Sequence, residues 1–345
     1  MIDFRYHLVS IVAVFLALAI GIVLGSTELQ GPAYNLLDKT TSKLQNELGQ
    51  VSGQRDAAQQ QATEGEMYAQ AVEPTVLRGL LTKQRLLIVT EPGAQPSVVS
   101  GISTAALAAG ASITGQINLA PKFFDTSGTT QDSLNVTTTD VAQAAGLTLD
   151  SSATYQQQAA QVIASEILAK AGADSAGKPP GADQGTDAAT MLQAYAASQF
   201  LSTTGQPGDS ATLAVVVTPQ NPPSDGSADQ LDQVLIPLVT ELAAKSSATV
   251  VVGSSAGSGA GSPIAVLRSN NVSSQVSTVD DADLVAGQTV AMQALAVGLA
   301  GGKAGSYGFT ANGATAIAPS PAPSPSASAS ASTAPTSSTK KKVKK

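Results

Sequence analysis

Residues Leu8 to Leu24, LVSIVAVFLALAIGIVL, form an apolar run broken only by Ser10, and no full charge falls between Arg5 and Glu28. No other stretch restricts the chain as much. A helix of this length rises about 25 Å, enough to cross a ~30 Å hydrocarbon core once its flanks are counted. A cleaved signal would have a shorter apolar region and a small-residue cleavage site, whereas Leu24 puts a large side chain where that site would lie. The run therefore predicts a retained anchor. Arg5 is the nearest basic residue to either end, with Lys39 and Lys43 much farther off, which places the N-terminus inside and the bulk of the chain outside. His7, the single histidine, sits at the membrane boundary without partners for metal binding.

Within the run, Ala13, Ala17, Gly21 and Gly25 recur every fourth residue and share one helix face. Small side chains let two helices approach closely, so this face is either a dimer seam or a lipid-facing strip. Beyond it, a Gln-rich stretch places Leu37, Leu44, Val51 and Ala58 seven apart, with Leu48 and Ala62 in a second, partial row. That spacing fits a short coiled-coil stalk extending the seam, weakened by Gly49, Gly53 and Gly65. The alternative is one amphipathic helix lying on the domain behind it.

From Arg85 the pattern becomes near-continuous apolar strands alternating with Ala-rich helices. RLLIVTEPG, ASITGQINL, ATLAVVVTP, ATVVVGSS and VSTVDD read as strands. Helices are predicted at PSVVSGISTAALAAG, closed by Gly110, and at LDSSATYQQQAAQVIASEILAK with a Ser or Thr cap. Others are AATMLQAYAASQFL, ADQLDQVLIPLVTELAAKS, the short SPIAVLRSN and LVAGQTVAMQALAVGLAGG. Such alternation predicts an α/β fold with a mainly parallel, Rossmann-like sheet covered on both faces. A membrane barrel would instead need hairpin-linked strands with alternating polarity.

The chain is thus divided into an anchor (1–27), a coiled-coil stalk (28–80), an extracytoplasmic α/β domain (81–310) and a disordered tail rich in Pro, Ala and Ser (311–345). Five of the 18 Lys and Arg lie in the terminal KKKVKK, so the remainder sets 13 basic against 25 acidic side chains. An acidic body with 3% aromatic residues and no Trp excludes nucleic acid as a partner. The terminal lysines either touch an anionic surface or simply stay solvated.

Little of this sequence carries chemistry. With no Cys, thiolate catalysis and thiolate metal sites are both excluded. The loop GSSAGSGAGSP lacks the lysine and spacing of a phosphate cradle and reads as a turn, with Ser262 capping a helix that starts at Pro263. Asp280, Asp281 and Asp283 are expected to cap the helix that follows rather than to bind a divalent cation. Met67, Met191 and Met292 are scattered and expected at core or helix positions, so no copper site is visible. No constellation of nucleophile and base is present, and the chain is expected not to be an enzyme.

Three stretches, DFRYHLVSIVAVFLALAIGIVLGS, STVDDADLVAGQ and GGKAGSYGF, resemble the mycobacterial copper transport protein B family, actinobacterial envelope proteins. The resemblance covers residues 1 to about 310 and implies copper transport or copper homeostasis, with outer-membrane placement as the family label has it. It also implies a second role, a non-enzymatic scaffold governing cell separation through a cell-wall hydrolase. Copper is implied by the resemblance alone, which transfers no ligand residue. The expected partners are membrane lipid, a second copy of the chain in a homodimer, and a wall hydrolase or other envelope protein.

Overall fold

The computed structural model describes residues 4–170, 185–208, 210–220, 231–257, 261–309 and 314–319. The chain divides into two compact units, Met1–Met67 and Tyr68–Lys345.

The first unit lies in helix α1, Phe4–Leu77. Its segment Phe4–Gly25 is 22 residues long and apolar enough to cross a membrane. The helix continues through Gly49, Gly53 and Gly65 without a break. Each glycine costs about 1 kcal/mol relative to Ala, yet the surrounding Gln, Ala, Leu and Glu are strong helix formers that carry the helix across. The coiled-coil pairing expected of this stretch is not shown.

The second unit is built on a seven-stranded sheet. Its strands are β1 (Arg85–Thr90), β2 (Ser112–Leu119), β3 (Leu201–Gly205), β4 (Leu213–Val217), β5 (Ala248–Val252), β6 (Ser277–Val279) and β7 (Ser306–Tyr307). They lie in the order β3-β2-β1-β4-β5-β6-β7. All neighbours are parallel except β2 and β3, which run antiparallel. The helices between them are α2 (Pro96–Ala108), α3 (Gly128–Ala144), α4 (Tyr155–Ile167), α5 (Gly185–Ala197), α6 (Ile236–Lys245), α7 (Pro263–Ser269) and α8 (Val285–Leu299).

Side chains on a strand alternate between faces, and here both faces are apolar. Leu87, Val89, Ala214, Val216 and Val251 join one core with α3, α4, α5 and α6. Leu86, Ile88, Leu213, Val215, Val217, Val250 and Val252 join the other with α2 and α8. Leu77, at the end of α1, is fully buried in that second core together with Leu81. Val, Leu, Ile and Ala fill most of both layers, and the fully buried aromatics Phe123, Tyr195 and Phe200 lie in the first.

Most expected elements are present, with caps where the local chemistry places them. Thr154 accepts a hydrogen bond from Gln157 N (3.2 Å) at the start of α4, and Gly110 follows α2 at φ +86°. Two findings differ from expectation. The helix read as AATMLQAYAASQFL stops at Ala197, and Leu201 instead opens β3. Helix α3 arises from a Thr-rich segment with no strong helical pattern, buried through Leu134, Thr138, Val141 and Ala142. The expected disordered tail lies outside the described residues except at 314–319, where Thr315 N donates to Ser306 O (2.9 Å).

Candidate functional site

In an open parallel sheet, the chain leaves the central strands in opposite directions at one point, and a crevice opens at their carboxyl ends. Here that point lies between β1 and β4. Strand β1 runs into Glu91, whose backbone N–H donates to Val217 O (3.0 Å) at the end of β4. Next to it, Gln116 and Asn118 lie two apart on β2 and so share a face. A cavity of about 510 Å³ is lined by Thr90, Glu91, Ser100, Ser103, Gln116 and Asn118, with apolar contributions from α2 and the loop before it.

These polar groups are organised around one amide oxygen. Thr90 Oγ1 donates to Asn118 Oδ1 (2.8 Å), and Gln116 Nε2 donates to the same oxygen. Glu91 is 4% exposed, and its Oε1 has no hydrogen-bond partner among the described residues. Burial pushes its carboxyl up to about 8, so near neutral pH the neutral acid predominates. The cavity lining carries no lysine or arginine.

A second polar locus lies at the far side of the sheet. Arg268, on α7, donates from Nη1 to Asp280 Oδ2 (2.7 Å), from Nε to Thr278 Oγ1 (2.9 Å) and from Nη2 to Tyr307 O (2.8 Å). Asp281 Oδ2 accepts from Phe309 N, and its pKa is raised, first by burial and then by its neighbour Asp280. Asp283 receives both the backbone N–H and the hydroxyl of Ser255, each at 3.0 Å.

This overturns the expectation that the three aspartates cap α8. That helix begins after Leu284 with no side-chain cap, because each carboxylate is already engaged elsewhere. A carboxylate as buried as Asp280 requires a cation, and Arg268 supplies it. The glycine-rich turn behaves as expected at its end: Ser262 Oγ accepts from Ala265 N (3.2 Å), with Pro263 at the first helical position.

The remaining sequence-predicted positions lie on α1. Ala13, Ala17, Gly21, Gly25, Leu37, Leu44, Leu48, Val51 and Ala58 are all exposed, as is His7. Met191 and Met292 are buried in opposite cores, and Met67 is 65% exposed. Among the described residues, no group of three His, Cys, Asp or Glu side chains could hold a metal ion. Sequence reasoning missed Glu91, Gln116, Asn118 and Arg268. For the β2 pair a signal existed, since Gln-x-Asn within the otherwise apolar end of SITGQINL marks a polar patch on one face of a buried strand.

A family model described as copper transport outer membrane protein, MctB, matches residues 1–319. Proteins named copper transporter MctB from Mycobacterium bovis and Mycobacterium tuberculosis are each 27% identical over 322 residues, covering 92% of this chain and 99% of theirs. The protein of that name from Mycobacterium leprae is 26% identical over 325 residues, with the same coverage of both chains. The matched span takes in the apolar helix, the whole sheet and the Arg268–Asp280 pair, and the chain belongs to the MctB family of copper transport outer membrane proteins.

Proposed function

We propose that this chain is a membrane-anchored envelope protein that acts in copper transport or copper homeostasis. The observation that carries the reading is the family match through residues 1–319, joined to near full-length similarity with proteins named copper transporters. In this reading Phe4–Gly25 crosses the membrane with Arg5 on the inner side, and the α/β unit works outside. One apolar helix bounds no aqueous path, so passage of an ion through the membrane requires several copies. The small-residue face of Ala13, Ala17, Gly21 and Gly25 and the row Leu37, Leu44, Leu48 and Val51 are the surfaces on which copies would pair.

A deletion strain tests this directly, with cell-associated copper and cell separation measured side by side. Altered copper content is expected, restored by the full chain and not by a chain lacking residues 4–25. Unchanged copper with chained, unseparated cells would contradict the reading and favour a scaffold that controls a wall hydrolase.

A further inference from the structure

The geometry points to the crevice beside Glu91 as a binding site for a small, neutral, hydroxyl-rich ligand of the saccharide class. It lies at the carboxyl end of β1, where Glu91 follows Thr90, between α2 and the face of β2 that carries Gln116 and Asn118. Its volume, about 510 Å³, falls within the range of small-molecule sites. A carboxyl that is 4% exposed, with Oε1 lacking a partner among the described residues, is costly to keep. Such a group calls for a polar ligand in the cavity it lines.

The ligand class follows from the donors and acceptors present. Asn118 Oδ1 already takes two donors, from Thr90 and Gln116. Gln116 Oε1 and the lone pairs of Thr90 Oγ1 remain as acceptors on one wall, and the neutral Glu91 carboxyl adds one O–H donor and one acceptor. A ligand satisfying them must both donate and accept hydrogen bonds, and the exposed Ser100 across the crevice offers a further hydroxyl. Hydroxyl groups do both. With no Lys or Arg in the lining, a phosphate or carboxylate finds no countercharge. The neutral form of Glu91 near pH 7 removes the attraction that would favour an amine.

The test uses the full chain in a detergent without a sugar headgroup and saturation-transfer NMR, and its readout is independent of copper. Glucose and N-acetylglucosamine serve as neutral probes, with glucose 6-phosphate and glucosamine as charged ones. Transfer to the neutral sugars is expected, with the charged analogues binding at least about tenfold more weakly. Asn118→Ala removes the centre of the polar wall and should weaken binding about tenfold or more. Because that variant can also loosen the strand, Ser100→Trp is the second: Ser100 is exposed on α2, so a bulky side chain there closes the crevice while the melting temperature stays unchanged. Absence of transfer from either neutral sugar at about 10 mM, equal or tighter binding of the phosphate, or undiminished binding by Ser100→Trp would each overturn the assignment.

Discussion

Arg268 Nη1 lies 2.7 Å from Asp280 Oδ2, and the two side chains are 5% and 0% exposed. This pair ties the strand carrying STVDD to the segment GGKAGSYGF, because the same guanidinium also donates to Tyr307 O and Thr278 Oγ1. Two of the three stretches that carry the family resemblance are therefore one structural unit. Their shared task is to close the sheet at β6 and β7.

Removing one partner leaves the other charge buried without its counterion. Arg268→Ala is expected to destabilise the α/β unit by about 3–5 kcal/mol, read as a lowered urea midpoint. Arg268→Lys keeps a charge but loses the planar fork that reaches three acceptors, so its loss should be intermediate. Equal stability of both variants and the parent would refute the role given to the pair.

Gly308 tests the same locus from its other side. Its φ is +142°, a conformation that favours glycine, and a Cβ there would fall on Oδ1 of Asp280. Gly308→Ala should cost on the order of 2–4 kcal/mol and lower the melting temperature accordingly. A change of under about 2 °C would show that the segment yields without disturbing the pair.

Glu91 sets a pH dependence whose sign is fixed by burial. Its carboxyl titrates near 4.5 when unfolded and about 8 when folded, so across that window the folded chain holds the extra proton. Stability from this group is complete below about pH 4.5 and is lost as pH rises through about 8, at up to about 1.4 kcal/mol per pH unit. Asp281 is shifted in the same direction. Urea midpoints measured from pH 5 to 8 should fall more steeply for the parent than for Glu91→Gln; parallel profiles would contradict the burial of a titrating carboxyl at this position.

What could be read from the sequence follows from how each element is buried. RLLIVT, LAVVV and ATVVV are apolar at nearly every position because both faces of the central strands are covered, so the α/β class was legible. Strand β3, LSTTG, is buried only at Leu201 and exposed at its other four positions, and edge strands of this kind leave no periodic trace. Helix α3 owes its stability to four buried residues rather than to its Thr-rich composition. Arg268 and Asp280 are separated by a turn and a strand, and nothing local in either neighbourhood announces the pairing. Glu91 followed by Pro92 and Gly93 reads as turn chemistry, and only the pairing of β1 with β2 under α2 turns it into part of a cavity wall.

Leu44 and Val51 are 54% and 63% exposed, so charges there should leave the body's fold intact. Leu44→Glu with Val51→Glu is expected to abolish self-association of the full chain in chemical cross-linking, while the unfolding transition of the α/β unit moves by less than about 0.5 kcal/mol. Persistent cross-linked dimers would place the contact between copies elsewhere.

The proposed place of work depends most on the fate of the apolar helix. Intact-mass measurement of the chain extracted from carbonate-washed membranes reads this directly. A mass that includes residues 4–25, recovered in the lipid fraction, is the expected result. A mature chain starting near Ser26 and released by the wash would contradict it.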